Sequence, residues 1–248
     1  MVTPLEHTLR RQGTWLFRHR GWMPLVLVPV MAVAILTGPV PEFARSQWWQ
    51  ALCAGLVLAG AALRAWVVGR VPEGTSGRAT REQVAEQLNT TGAYAVMRHP
   101  LYGANAILWA GLLGRPAIWW MWLLGMGYFA LLYERIMLAE EAFLLERFGE
   151  HFRRWAHQTP AILPCGTYRP AALSFDWRRV LRREYSTWLA ALLAFAVVEA
   201  LLQWRWTGTF GLPTPWWYVL AAGAAVAGVL RFLKYRTRWL QSRDSPTQ

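Results

Sequence analysis

Three groups of residues in this chain have types and spacing that could do chemistry. The densest is GAYAVMRHPLYG, Gly92 to Gly103, where Arg98, His99 and Tyr102 crowd around Pro100, a residue suited to the first turn of a helix. The second is the acidic pair Glu140 and Glu141, and the third is FGEHFRRW, Phe148 to Trp155, followed by TPAILP. Between the first two lie an apolar run from Leu101 to Leu113, the turn residues Gly114, Arg115 and Pro116, and a further apolar run to Met137. That order predicts a helical hairpin whose first arm is short. A hairpin brings its two ends together, so both polar clusters face each other at one mouth. Cationic donors beside carboxylates suit a ligand of mixed character: Arg98 and His99 could meet an anionic group, while Glu140 or Glu141 could accept from hydroxyls or an ammonium.

The elements that position these residues belong to a membrane. Hydrophobic residues make up 55% of the 248, and 17 are Trp, a profile rare in a soluble domain with a polar shell. Apolar runs predict spans at about Gly21 to Pro39, Trp48 to Gly69, Pro116 to Met137, Ser186 to Gln203 and Trp216 to Leu233, each near the ~20 helical residues that cross a bilayer core. The run from Leu101 to Leu113 is too short to cross comfortably. The fold expected is an all-α transmembrane bundle of five to six spans with a cytoplasmic cofactor pocket.

The formal charge of +12 raises nucleic acid as a partner, but its distribution removes most of that case. With both termini in the cytoplasm, 22 of the 26 Lys and Arg fall inside, while Arg45, Arg115 and Arg205 lie in outer connections and Arg64 lies within a span. This is the positive-inside bias of a membrane protein. Cys53 and Cys165 have no CxxC spacing and fall in different environments, which argues against a disulfide framework and a zinc site. The first apolar run follows basic residues as in a signal peptide, but it is long and more runs follow, so an uncleaved helix is expected.

Three regions follow: 1–91, two spans and a cytoplasmic connector; 92–164, the hairpin and a cytoplasmic helix; and 165–248, an interfacial helix and two further spans. The connector, Arg70 to His99, is polar and has no apolar stripe for a core of its own. The third span runs without a breaker into Glu134 to Phe152, so that helix should leave the membrane and end before Pro160 and Pro164. Ser174 to Tyr185 places Trp177, Leu181 and Tyr185 on one side of four arginines, which fits either an interfacial helix or the basic flank of the next span.

On these residues, an RHPxYxG-like segment, an acidic pair, an FGexY-like stretch and a closing PxxxP across Gly92 to Pro164, the chain resembles the membrane-embedded methyltransferases that include isoprenylcysteine carboxyl methyltransferases and phospholipid N-methyltransferases. The resemblance implies S-adenosylmethionine as cofactor, wrapped by His99, Tyr102, Gly103, Glu140, Glu141, Phe152 and Trp155, with a lipid or lipidated acceptor entering from a bacterial-type inner membrane. Phe152 and Trp155 stand where the family often has tyrosines, leaving adenine stacking as their available role. For the methyl acceptor, Arg64, Arg98 or Arg135 could position a carboxylate or phosphate, and Glu141 could deprotonate an ammonium.

Each residue also has a plainer reading. Arg98 could anchor the cytoplasmic boundary, His99 could cap a helix, the glutamates could form a solvated face, and Arg64 could snorkel. Glu199 is expected at the outer interface. Two other functions fit less of the pattern: an NADPH-dependent membrane reductase of the steroid-reductase type, and a non-enzymatic membrane subunit.

The charge asymmetry makes a direct prediction. Reporter fusions at either end should register a cytoplasmic location; a periplasmic C-terminus would mean that the spans are miscounted, most simply at the short arm ending in Gly114.

Overall fold

Proline marks many of the places where helices start and stop in this chain. The computed structural model describes residues 4–72, 85–237 and 239–240, so residues 73–84 of the expected connector lie outside the described residues. Among the described residues there are nine α-helices and no strand: α1 Pro4–His19, α2 Leu27–Thr37, α3 Gln47–Val68, α4 Ala93–Val96, α5 Pro100–Gly114, α6 Trp119–Phe148, α7 Glu150–Gln158, α8 Trp177–Thr207 and α9 Thr214–Arg236. The protein is an all-α helical bundle.

The sequence predicts five to six spans. Three described helices, α3, α8 and α9, are long and apolar enough to cross a membrane, or four if the broken stretch from Pro4 to Thr37 counts as one span. The first apolar run is not a continuous helix. A 3-10 turn, Met23–Val26, precedes an α2 of 11 residues, because Pro24 and Pro29 each lack the N–H that a continuing helix would need. The run from Pro116 lies in α6, whose 30 residues are long enough but include three Trp in the first four positions and then Glu134 and Arg135, which dilute its apolar character.

The apolar run does continue without a break past Glu134 in α6, but that helix ends earlier than Phe152. Gly149 adopts φ 52°, a left-handed conformation that glycine enters without steric cost, and α7 begins immediately after it. Of the two readings of Ser174 to Tyr185, the structure agrees with the basic flank of the next span: from Trp177 the stretch forms the first turns of α8, a continuous helix of 31 residues, whose start is capped by Asp176 accepting from the backbone N–H of Arg178 and Arg179.

The chain divides into two compact units, each made of three segments. The first comprises residues 1–26, 70–103 and 127–174. Its core joins Phe17 and Met23 to Leu132 and Ile136 of α6, with Tyr102, Tyr128 and Tyr133 alongside. Here α1 lies tight against α6 at Gly13, where a Cβ would stand 1.9 Å from the Arg135 carbonyl oxygen.

The second unit comprises residues 27–69, 104–126 and 175–248. In it α8 packs against α2, α3 and α9, and Cys53, Val57, Leu108, Ala191 and Phe195 form a core cluster. At the turn closing the hairpin, Arg115 is only 2% exposed, and its Nε and Nη2 donate to the two carboxylate oxygens of Glu199, the latter at 3.0 Å. Its Nη1 donates to the Ala44 carbonyl at 2.7 Å. Arg115 and Glu199, expected as an outer-loop residue and an interfacial residue, are thus partners that bind the turn, the Glu42–Arg45 segment and α8 together.

This pair yields a stability prediction. Glu199→Gln or Arg115→Met alone should lower detergent-solubilised stability strongly, by roughly 3–5 kcal/mol for an uncompensated buried charge, and Arg115→Met with Glu199→Leu should recover much of it. Thermal unfolding of the three variants measures this, and additive losses would deny the coupling.

Candidate functional site

The mouth of the hairpin is built by backbone pairing before any side chain acts. Gly92 donates from its N–H to the Arg169 carbonyl at 2.8 Å, Gly166 to Val96 at 3.0 Å, Arg98 to Pro160 at 2.8 Å and His99 to Ala161 at 3.1 Å. The segment before α5 is therefore tied to the TPAILP stretch. Thr159 is extended, at φ −123° and ψ 119°, as a residue before proline prefers, which carries the following carbonyls toward residues 98 and 99. Pro100 opens α5 as expected, and the His99 carbonyl accepts from Tyr102 and Gly103.

On this frame the residues named from the sequence converge. Arg98 Nε donates to Glu141 Oε1 at 2.8 Å, and His99 Nε2 lies 2.9 Å from the same oxygen. The other Glu141 oxygen receives a longer contact, 3.4 Å, from Arg98 Nη2. Tyr102 donates its hydroxyl to Glu140 Oε1 at 2.7 Å, and its ring stacks on His99 at 5.6 Å between centroids. Glu140 Oε2 is 3.7 Å from His99 Nδ1. His99 is thus a buried imidazole between two carboxylates.

Arg98 is more committed than its expected ligand role requires. Its Nη1 donates to the carbonyls of Ala156 and Thr159, both at 2.8 Å, so it also caps the end of α7. Basic groups suit that position, where helix carbonyls lack partners. Trp155 donates its Nε1 to the Tyr94 carbonyl at 3.1 Å and meets Phe152 edge to face at 5.7 Å. Both rings are buried, and the Trp155 bond ties α7 to α4. A Cβ on Gly103 would reach no nearer than 3.4 Å to Met97 Sδ, so packing does not demand glycine there.

The two glutamates differ electrostatically. Burial lifts the Glu140 carboxyl above its ordinary range, opposed by His99 and the Tyr102 hydrogen bond. Burial pushes Glu141 the same way, but hydrogen bonds and charge from His99 and Arg98 outweigh it, and its carboxyl is held below the ordinary range.

Two candidates have other neighbours. Arg135 donates to Gln12 Oε1 at 3.3 Å, the Leu131 carbonyl at 3.0 Å and Glu134 at 3.2 Å, on the side of α6 that faces α1. Arg64, in the second unit, donates to Glu184 Oε2 at 2.8 Å, Glu184 Oε1 at 3.0 Å and Asn105 Oδ1 at 2.7 Å. Glu184 is 1% exposed, so loss of Arg64 would first leave a buried carboxylate uncompensated. Glu184 was missed from the sequence, although an arginine within a span signals that a counter-charge must exist.

The chain is 33% identical over 157 residues to the nickel-cobalt-cadmium resistance protein NccN of Alcaligenes xylosoxydans xylosoxydans, a match covering 61% of this chain and 67% of that protein. No protein-family model matches the chain, and no solved structure does.

The opposite shifts of the glutamates predict opposite pH behaviour. Glu141, with its lowered pKa, contributes stability present above the ordinary carboxylate range and lost as pH falls through its lowered value. Glu140, with its raised pKa, favours the folded state most when protonated, an advantage lost as pH rises through its raised value. At neutral pH Glu141→Gln should destabilise by roughly 1–3 kcal/mol, whereas Glu140→Gln should leave stability equal or higher; both differences should shrink toward acid. Thermal melts across a pH series measure this, and identical behaviour of the two variants would overturn the assignment.

Proposed function

The chain belongs to the family of the nickel-cobalt-cadmium resistance protein NccN, and we propose that it is an integral-membrane methyltransferase using S-adenosylmethionine to modify a lipid or lipidated acceptor at the cytoplasmic face. One observation carries this reading: Arg98, His99 and Tyr102 at the start of α5 meet the acidic pair of α6 in one cluster, Arg98 and His99 on Glu141 and Tyr102 on Glu140. These are the residues on which the resemblance to membrane methyltransferases rests. The apolar helices support membrane embedding, a bacterial relative suits a bacterial-type inner membrane, and the basic asymmetry favours cytoplasmic termini.

The donor set fits the cofactor on its acceptor side. Glu140, with one oxygen on Tyr102, can accept from an ammonium or ribose hydroxyl, and His99 orients the pair. Arg98 is the exception: its bonds to Glu141, Ala156 and Thr159 make it a positioning residue in this cluster. Phe152 and Trp155 likewise support α7 from within the core.

When bound, S-adenosylmethionine supplies an electrophilic methyl for in-line displacement, so the protein needs alignment and water exclusion and no covalent nucleophile. Where the acceptor is an ammonium, a proton must leave first. Glu140 is better suited to take it than Glu141, because burial raises its proton affinity while Arg98 and His99 lower that of its neighbour.

The relative's name raises a metal-handling role as the second reading. Among the described residues no group of three or more His, Cys, Asp or Glu could hold an ion, so a non-enzymatic role would run through protein contacts.

Calorimetry on the detergent-purified chain should show binding of S-adenosylmethionine and its demethylated product but not NADPH. Glu140→Gln should weaken that binding by roughly 10–100-fold, the equivalent of a charge-assisted contact. Lipid extracts after overexpression should contain a species heavier by one methylene. NADPH binding without response to the sulfonium cofactor would replace this reading with the reductase.

A further inference from the structure

Outside the mouth, a groove of about 530 Å³ lies along α1 and α6, lined by Arg11, Gln12, Trp15, Leu16 and Arg135. Its wall is mixed in a particular way. Trp15 is 51% exposed and Leu16 half-buried, giving an apolar floor, while Arg11 and Arg135 bring two guanidinium groups to it. Arg11 is exposed and has no ion-pair partner among the described residues, unlike Arg10, which pairs with Glu6 one turn before it. Arg135 is shared with Glu134, Gln12 and the Leu131 carbonyl, so one carboxylate partly offsets the positive rim.

The helix carrying this groove suits a membrane surface. Leu5, Leu9 and Leu16 fall on one side of α1, while Arg11, Thr14 and Arg18 fall on the other, the arrangement of a helix lying in the interface plane. Leu5 and Trp22 are 68% and 47% exposed at its two ends, where an interfacial helix meets acyl chains and headgroups.

We propose that this groove holds an anionic phospholipid, its phosphate between Arg11 and Arg135 and an acyl chain along Trp15 and Leu16. Charge complementarity selects this occupant: a zwitterionic headgroup would bring a choline or ethanolamine cation toward two arginines, whereas a phosphate with no compensating cation gains from both. The site does not involve the Glu140–Glu141 cluster, and lipid retention tests it without any methyl transfer.

The test uses the full-length protein in detergent with phosphatidylglycerol or phosphatidylcholine added at equal concentration, counting retained lipids by native mass spectrometry. Wild type should retain phosphatidylglycerol in preference to phosphatidylcholine. Arg11→Ala with Arg135→Ala should lower phosphatidylglycerol retention by at least about tenfold, as expected for a lost charge-assisted contact, with phosphatidylcholine unchanged. Arg11→Ala alone, at an exposed side chain without an ion-pair partner, decides the case should the double variant misfold, and a several-fold loss is expected from it. Equal retention of the two lipids by wild type, or undiminished phosphatidylglycerol retention by folded Arg11→Ala, overturns the proposal.

Discussion

The carboxylate of Glu141 is the constraint on which the hairpin mouth depends. It accepts from Arg98 and is met by His99, and Arg98 in turn donates to two backbone carbonyls at the end of α7. Three elements therefore meet through one acid: the start of α5, the emerging part of α6 and the C-terminal turn of α7. A guanidinium can serve such a junction because its donors are fixed in a plane and point in several directions at once. A lysine would keep the charge but could not hold the carboxylate in a bidentate fork while also reaching Ala156 and Thr159.

The second unit solves a different problem with the same residue types. Arg64 with Glu184, and Arg115 with Glu199, are buried pairs joining helices far apart in sequence. A charge in an apolar interior is costly unless paired and hydrogen-bonded, and each arginine gains a further acceptor, Asn105 for one and the Ala44 carbonyl for the other. These pairs specify which helix faces meet, since sliding either helix by one residue would leave an arginine opposite hydrocarbon. Apolar packing alone would distinguish such registers less sharply.

What was legible from the sequence follows from what local patterns encode. The all-α class, the hairpin and the convergence of Arg98, His99 and Tyr102 with Glu140 and Glu141 could be read because the connecting arms are helical and the turn residues lie between them. The break at Pro24 was also written in the chain, within a run whose apolar length alone suggests one helix. The pairing of Arg115 with Glu199 was not legible: 84 positions separate them, and nothing local says which faces of two apolar helices meet. The setting of Phe152 and Trp155 was hidden for a related reason. Their aromatic character was plain, but whether a ring faces a ligand or the core depends on how α7 rolls, and Gly149 resets that roll between α6 and α7.

Neighbouring glutamates in a helix point about 100° apart, and here that angle separates their chemistry. Glu141 faces Arg98 and is held ionised, so it is a structural anion and a poor proton acceptor. Glu140 faces Tyr102, is lifted by burial, and keeps an oxygen directed toward His99 rather than bonded to it. The acid that looks more engaged is thus the less reactive one. Fixing His99 through Glu141 also sets which ring nitrogen faces Glu140: with Nε2 donating to an ionised carboxylate, Nδ1 is the atom left beside the acid that is easier to protonate. One glutamate orients the imidazole, and the other lies beside its remaining nitrogen.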